Sequence, residues 1–200
     1  MMPGKDFPSY PLSSTPTGAL LAKPVAPKKQ SQPPENKAKE LARAAILNKE
    51  ATKLCRQGKL FEAEARLYTA LKIRQRLLGE DHMDVAMIYN NLSEINRRQK
   101  KYFKAETNLK KAMDIVKKKM GPEDEHLATC YNNLGLIYAA QKKFDKSEQV
   151  YNKGNALAVK HYGQNNPLTV TILKNLSDMY MDAGEYNKAE KPMKGSRAIV

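Results

Sequence analysis

The sequence predicts an all-α fold, a superhelical solenoid of about four antiparallel helix pairs preceded by a disordered Pro-rich tail. Three observations carry that expectation. A phrase of eight residues recurs every 42 residues without slippage. Apolar residues inside each unit follow helical spacing. Proline crowds the first 35 residues and then nearly disappears.

The tail comes first. Of the eleven prolines, those at 3, 8, 11, 16, 24, 27, 33 and 34 precede residue 36. Proline fixes φ and removes a backbone donor, and Ser9, Ser13, Ser14 and Thr15 add no apolar surface to bury. Neither helix nor sheet is expected over 1–35, and a partly polyproline-like, disordered stretch is.

From residue 36 a period emerges. The run Gln57-Gly58-Lys59-Leu60-Phe61-Glu62-Ala63-Glu64 aligns with Gln99-Lys100-Lys101-Tyr102-Phe103-Lys104-Ala105-Glu106, then with 141–148 and 183–190, each 42 residues after the last. Gly79, Gly121 and Gly163 keep the same step, as do Leu92, Leu134 and Leu176. Three markers in one register make the repeat secure.

Within the units, Phe61, Ala63, Leu67, Ala70 and Leu71 form one helical stripe, and Ile88, Tyr89, Leu92 and Ile95 form another. Each of the three glycines ends a helix, where it can take the left-handed conformation. The cations before the first two suit a helix C-terminus. The loops Glu80-Asp81-His82, Pro122-Glu123-Asp124 and Gln164-Asn165-Asn166 offer caps for the helix that follows. Helix pairs are expected at 37–56 with 60–78, 83–99 with 102–119, 125–141 with 144–161, and 167–182 with 186–198. One domain over 36–200 then holds units at 37–78, 83–120, 125–162 and 167–200. Pro192 falls inside the last helix, so a kink or an early end is expected there. No polar capping helix follows it, which reads as a truncated array or an edge covered by a partner.

Composition narrows the function. The net charge is +14, and residues 1–35 hold only four lysines against Asp6 and Glu35, so most of the charge lies on the helical part. Acidic partners are favoured, and nucleic acid is a second possibility. The runs Arg97-Arg98-Gln99-Lys100-Lys101, Lys110-Lys111 and Lys117-Lys118-Lys119 fall at turns and helix ends, as a solvated outer surface would place them. No recognition motif for nucleic acid accompanies them. Cys55 and Cys130 match no metal spacing and read as free thiols of a reducing compartment. His82, His126 and His161 sit in or beside the loops, where capping explains them better than catalysis. No cofactor is called for. No apolar run approaches the roughly 18 residues a membrane span requires. These features point to the cytoplasm, with the nucleus left open.

The small and large positions of each unit resemble tetratricopeptide repeats. In the third unit the signature maps to Tyr131, Leu134, Gly135, Tyr138, Ser147, Tyr151 and Gly154, and in the first to Leu47, Glu50, Ala51, Leu54, Ala63, Leu67 and Ala70. The ordinary repeat has about 34 residues. A 42-residue form with Tyr-Asn-Asn-Leu, seen at 89–92 and 131–134, and with Leu78-Gly79-Glu80-Asp81-His82, is similar to the kinesin light chain group. That group carries a long heptad coiled coil before its repeats, which residues 1–35 cannot form, and its arrays are longer. The resemblance implies a light-chain-like array without the coiled coil that engages a kinesin heavy chain.

It also implies a right-handed superhelix whose concave surface is lined by the first helix of each pair. There the family's inward Asn bonds the backbone of an extended peptide. By register these residues are Asn91, Asn133 and Asn175, with Lys49 in the first unit. A carboxamide offers donor and acceptor to a main-chain amide whatever the peptide's side chains. Neighbours on the same face are Met87, Glu94 and Arg98, then Thr129, Leu136 and Ala140, then Thr171, Lys174, Asp178 and Met181. This lining is mixed in charge with apolar sites at Leu136 and Met181. A non-catalytic adaptor is expected, binding a short linear protein motif with an apolar or aromatic anchor and flanking acids. The alternatives are a basic-surface protein associated with RNA or other anions, and an assembly module that oligomerises through its C-terminal edge.

Overall fold

The computed structural model describes residues 34–194. The tail expected over 1–35 lies outside them, except that Pro34 and Glu35 open the first helix. Proline is welcome at a helix start because its missing N–H has no intrahelical partner there. Glu35 sits in the first turn and pairs with Lys39 at 2.7 Å.

Among the described residues eight helices follow one another: α1 (Pro34–Arg56), α2 (Leu60–Leu78), α3 (Met83–Arg98), α4 (Tyr102–Met120), α5 (His126–Ala140), α6 (Phe144–Tyr162), α7 (Pro167–Asp182) and α8 (Tyr186–Lys194). After α1, every helix starts within one residue of the place the repeat assigns it. Pro192 lies inside α8, which continues through Lys194. Each odd helix packs against its even partner, and each even helix against the next odd one. The odd helices also touch one another, α3 against α5 and α5 against α7, so they form the tighter, inner layer.

One turn geometry closes all four pairs. The N–H of Lys101 donates to Asn96 O and that of Lys100 to Arg97 O, and the same two bonds recur at Lys59 and Gly58, Lys143 and Lys142, and Glu185 and Gly184. This crossed pair satisfies the last carbonyls of the helix and forces a positive φ on the residue between them. Glycine takes it at 58 and 184, with φ of 77° and 76°, whereas Lys100 and Lys142 take it at 59° and 58°. The long connections differ from expectation. Gly79, Gly121 and Gly163 have φ of 93°, 100° and 85° with ψ of 162°, 168° and 170°, an extended mirror-image conformation essentially closed to other residues, not the left-handed one.

Caps follow the loops. His82 Nδ1 accepts from Asp84 N at 3.1 Å, Asp124 Oδ1 from His126 N at 3.0 Å, and Asn166 Oδ1 from Leu168 N at 2.9 Å. Pro167 occupies the first turn of α7.

Inside each pair, small residues on the odd helix meet large ones on the even helix. A Cβ added at Gly135 would lie 2.5 Å from the ring of Tyr151, which is fully buried. The corresponding positions pair Ala51 with Leu67 and Ser93 with Leu109, so the larger ring is matched by the smaller residue. Polar columns tie successive pairs. Glu64 of α2 accepts from Asn96 Nδ2 of α3 at 3.0 Å, and Glu106 of α4 from Tyr138 Oη of α5 at 3.1 Å. Farther out, Arg76 pairs with Glu40, Lys118 with Asp81, and Lys160 with Glu123.

Candidate functional site

The expected site residues stand on the inner layer. Met87, Asn91, Glu94 and Arg98 come from α3, Asn133 and Leu136 from α5, and Lys174, Asn175 and Asp178 from α7. Helical spacing of three or four residues puts each set on one face, and contact between successive odd helices makes the faces continuous.

The three asparagines already have partners within the fold. Asn91 Nδ2 donates to Asn48 Oδ1 at 2.9 Å, Asn133 Nδ2 to Asn90 Oδ1 at 2.8 Å, and Asn175 Nδ2 to Asn132 Oδ1 at 2.8 Å. The Asn-Asn pair therefore divides its work. The second residue donates back to the preceding unit, and the first accepts from the following one. Asn90 and Asn132 complete this ladder, and sequence reasoning gave them no role. Their signal was in view as the doubled Asn at 90–91 and 132–133. Among the described residues the carbonyl oxygens of Asn91 and Asn175 accept nothing, and Asn133 Oδ1 receives only Asn132 Nδ2 at 3.4 Å. Donor and acceptor capacity remains on all three.

Two hollows flank the ladder. One, of about 190 Å³, lies between α3 and α5 over α4; Met83, Ala86, Met87 and Asn90 form one wall, and His126, Thr129 and Cys130 the other. Its lining is mostly apolar, with Asn90, His126 and Thr129 as the polar members, and Met87 is half exposed. Burial pushes the Cys130 thiol up to about 12, so it stays protonated and serves as apolar wall. The second, of about 210 Å³, lies between α1 and α3 beside Cys55, Asn91, Glu94 and Arg98.

The charges here are partly spent. Glu94 pairs with Arg97 at 2.9 Å and with Arg98 at 3.2 Å. Arg98 also donates to Cys55 O at 2.8 Å and so bridges α3 to α1. Lys174 and Asp178 on α7 are exposed. Leu136 is half-buried and packs on the cluster of Tyr151, Ile172 and Leu176, so it is a packing residue more than an open apolar site. Met181 is 51% exposed. The structure thus gathers the α3 residues around the hollows, and sets the α7 residues one helix farther along the same layer. Residues that sequence reasoning missed are Met83, Ala86 and Cys130, because only the approach of α5 to α3 turns them into one wall.

Among the described residues no group of His, Cys, Asp and Glu is placed to hold a metal ion. No described helix is long and apolar enough to cross a membrane.

Comparison with known proteins agrees with this architecture. A family model described as tetratricopeptide repeat matches residues 42–102 and 84–158. No curated protein matches in sequence. Among solved structures, BtubC (BKLC) from P. vanneervenii is similar at 28% identity with a TM-score of 0.67, covering 77% of this chain and 61% of that one. This chain therefore spans less than two thirds of that relative's length. The putative kinesin light chain of Podosopora anserina, with nearly identical TPR-like repeats, superposes with a TM-score of 0.64 at 18% identity, covering 78% of this chain and 74% of that one. A second structure of the same repeats gives 0.61.

Proposed function

The chain belongs to the tetratricopeptide repeat family, and from that premise we propose that it is a non-catalytic adaptor whose inner face, built from α3, α5 and α7, holds a short extended peptide. The observation that carries this reading is the apolar hollow of about 190 Å³ at Met83, Met87 and Cys130, directly beside the asparagine ladder. A small concave site with apolar walls and a few convergent polar groups is how proteins hold an apolar anchor and orient it. The open carbonyls of Asn91 and Asn175 and the second amide hydrogen of Asn91, Asn133 and Asn175 suit the alternating N–H and C=O of an extended chain. Lys174, which makes no ion pair among the described residues, and the cationic excess of the chain favour acids flanking the anchor.

The ladder bond complicates the obvious test, because Asn91→Ala removes a structural contact together with any contact to peptide. Asn48→Ala removes the same structural bond and leaves Asn91 in place, and Asn48 lines neither hollow. Selection from a random displayed peptide library on the full chain, followed by titration of the selected peptides, separates the two. Peptides sharing an apolar residue are expected, bound about tenfold more weakly by Asn91→Ala and by Met87→Glu but nearly as well by Asn48→Ala. Selected peptides that bind all four proteins equally remove the inner face as the site.

A further inference from the structure

The turns joining odd to even helices stack along one edge of the array, and that edge carries charge the fold does not use. Lys59, Lys100, Lys142, Lys143 and Lys146 are exposed, and their ammonium groups form no ion pair or hydrogen bond among the described residues, though the Lys143 charge helps to hold the Glu106 carboxyl down. Several cations elsewhere are committed, as Lys118 is to Asp81, Lys160 to Glu123 and Lys110 to Glu106, whereas Lys72, Lys153 and Lys174 stand singly on α2, α6 and α7 with no ion pair among the described residues. Lys101 and Lys104 converge on Glu64 at 3.4 and 2.6 Å and bring the first two turns together. Lys142, Lys143 and Lys146 line an open cleft of about 410 Å³ that reaches Ala183 and Glu185 of the fourth turn.

Two features set this edge apart from an ordinary solvated surface. Lys100 and Lys142 hold the positive-φ site that glycine fills at 58 and 184. A side chain there costs about 1 kcal/mol against glycine. The two lysines thus stand where the backbone alone favours their absence. On the same edge Phe61 and Phe103, one repeat apart, are 75% and 85% exposed, more than any other large apolar side chain described. The Lys101 ammonium lies 5.1 Å from the Phe61 ring centroid, so cation and ring already form a joint surface.

We propose that this edge, from the first turn to the third, docks an acidic segment of a partner protein, with carboxylates on the lysines and an apolar side chain against Phe61 and Phe103. Charge complementarity fixes the sign of the ligand. The chain's own N-terminal stretch does not fit, since residues 1–33 carry Lys5, Lys23, Lys28 and Lys29 against Asp6 alone. Glu62 and Asp145 interrupt the positive field beside the phenylalanine positions. Spaced carboxylates tolerate such interruptions better than a strand bearing a charge about every 3.4 Å. The surface is separate from the α3, α5 and α7 face and stands whether or not that face binds peptide.

The test is anisotropy of a fluorescein-labelled glutamate peptide with one central phenylalanine, titrated with the full chain. Binding is expected to weaken between roughly 50 and 200 mM salt. The double change Lys100→Gly and Lys142→Gly is expected to weaken it about tenfold. Because that variant relieves both strained turns, its melting temperature rises, and loss of fold cannot mimic loss of docking. Phe61→Ser with Phe103→Ser is expected to bring the affinity down to that of the all-glutamate peptide. Unchanged binding by the glycine variant overturns the proposal, as does loss of binding through Met87→Glu on the inner face. Tighter binding of a labelled oligothymidylate of equal charge overturns it in favour of nucleic acid.

Discussion

At the scale of single residues, the tightest constraint is the contact of Gly135 with Tyr151. A methyl at 135 falls 2.5 Å from the ring, so either the ring or helix α6 must move. Overpacking of this kind costs about 1–3 kcal/mol. Gly135→Ala is therefore expected to lower the denaturant midpoint, and to do so far less in a Tyr151→Leu background, where the pair becomes Ala with Leu as at 51 and 67. Equal cost in both backgrounds means the ring is not the obstacle. The opposite sign holds at the turn. Lys142→Gly relieves a φ of 58° and is expected to add about 1 kcal/mol, seen as a rise of about 2–4 °C in melting temperature. The small-with-large pairing was legible in the sequence, because both partners recur in register. The strained lysines were not, because a Lys-Lys turn reads as surface charge until its backbone angle is known.

At the scale of the helices, what joins one unit to the next is polar as much as apolar. Helix positions were legible because a 42-residue period fixes them four times over. The ladder bonds were not, since pairing Asn133 with Asn90 depends on how far one helix slides past its neighbour, and periodicity does not encode that offset. Each such bond is worth about 1 kcal/mol net. Asn90→Ala and Asn133→Ala should therefore destabilise to similar degrees, with the double variant little worse than either single one; additive losses mean the two side chains act separately. The junction of α2, α3 and α4 titrates. Burial raises the Glu64 carboxyl, but hydrogen bonds from Lys104 and Asn96 overcome that and hold it at about 2, against 4.5 in an unstructured chain. A group depressed on folding contributes stability that is complete above the unfolded value and is lost as pH falls from about 4.5 towards 2. Denaturant melts across that window should show a steeper loss in the native protein than in Glu64→Gln, which starts less stable and changes less. Parallel curves place the acid sensitivity elsewhere.

At the scale of the whole array, the buried apolar residues fall into two clusters, and the division runs through the third unit. Leu134 and Ile137 of α5 belong with α1 to α4, whereas Ala128, Tyr151 and Ala158 belong with Ile172, Leu176 and Tyr180 of α7. In a stack where each element touches only near neighbours, stability is a sum of local terms, and a weak junction lets one end open before the other. The second cluster is the smaller, and its last described helix carries Pro192, which removes a backbone donor from α8. Hydrogen exchange should therefore release the amides of α7 and α8 before those of α3 and α4. Ile172→Ala, at a fully buried site, should cost about 2–5 kcal/mol of protection confined to α6 to α8. Ile88→Ala, equally buried in the first cluster, should lower protection in α1 to α5 by a similar amount and spread further, because those helices share one core. Uniform loss across all eight helices in both variants means the array unfolds as one unit. The inner face would then be rigid through α7, and any peptide seated on α3 and α5 would leave α7 exchange unchanged. If the second cluster opens first, as its composition implies, ligand reaching Asn175 and Lys174 should slow exchange in α7 more than anywhere else. That one profile reports on stability and on the extent of the binding face together.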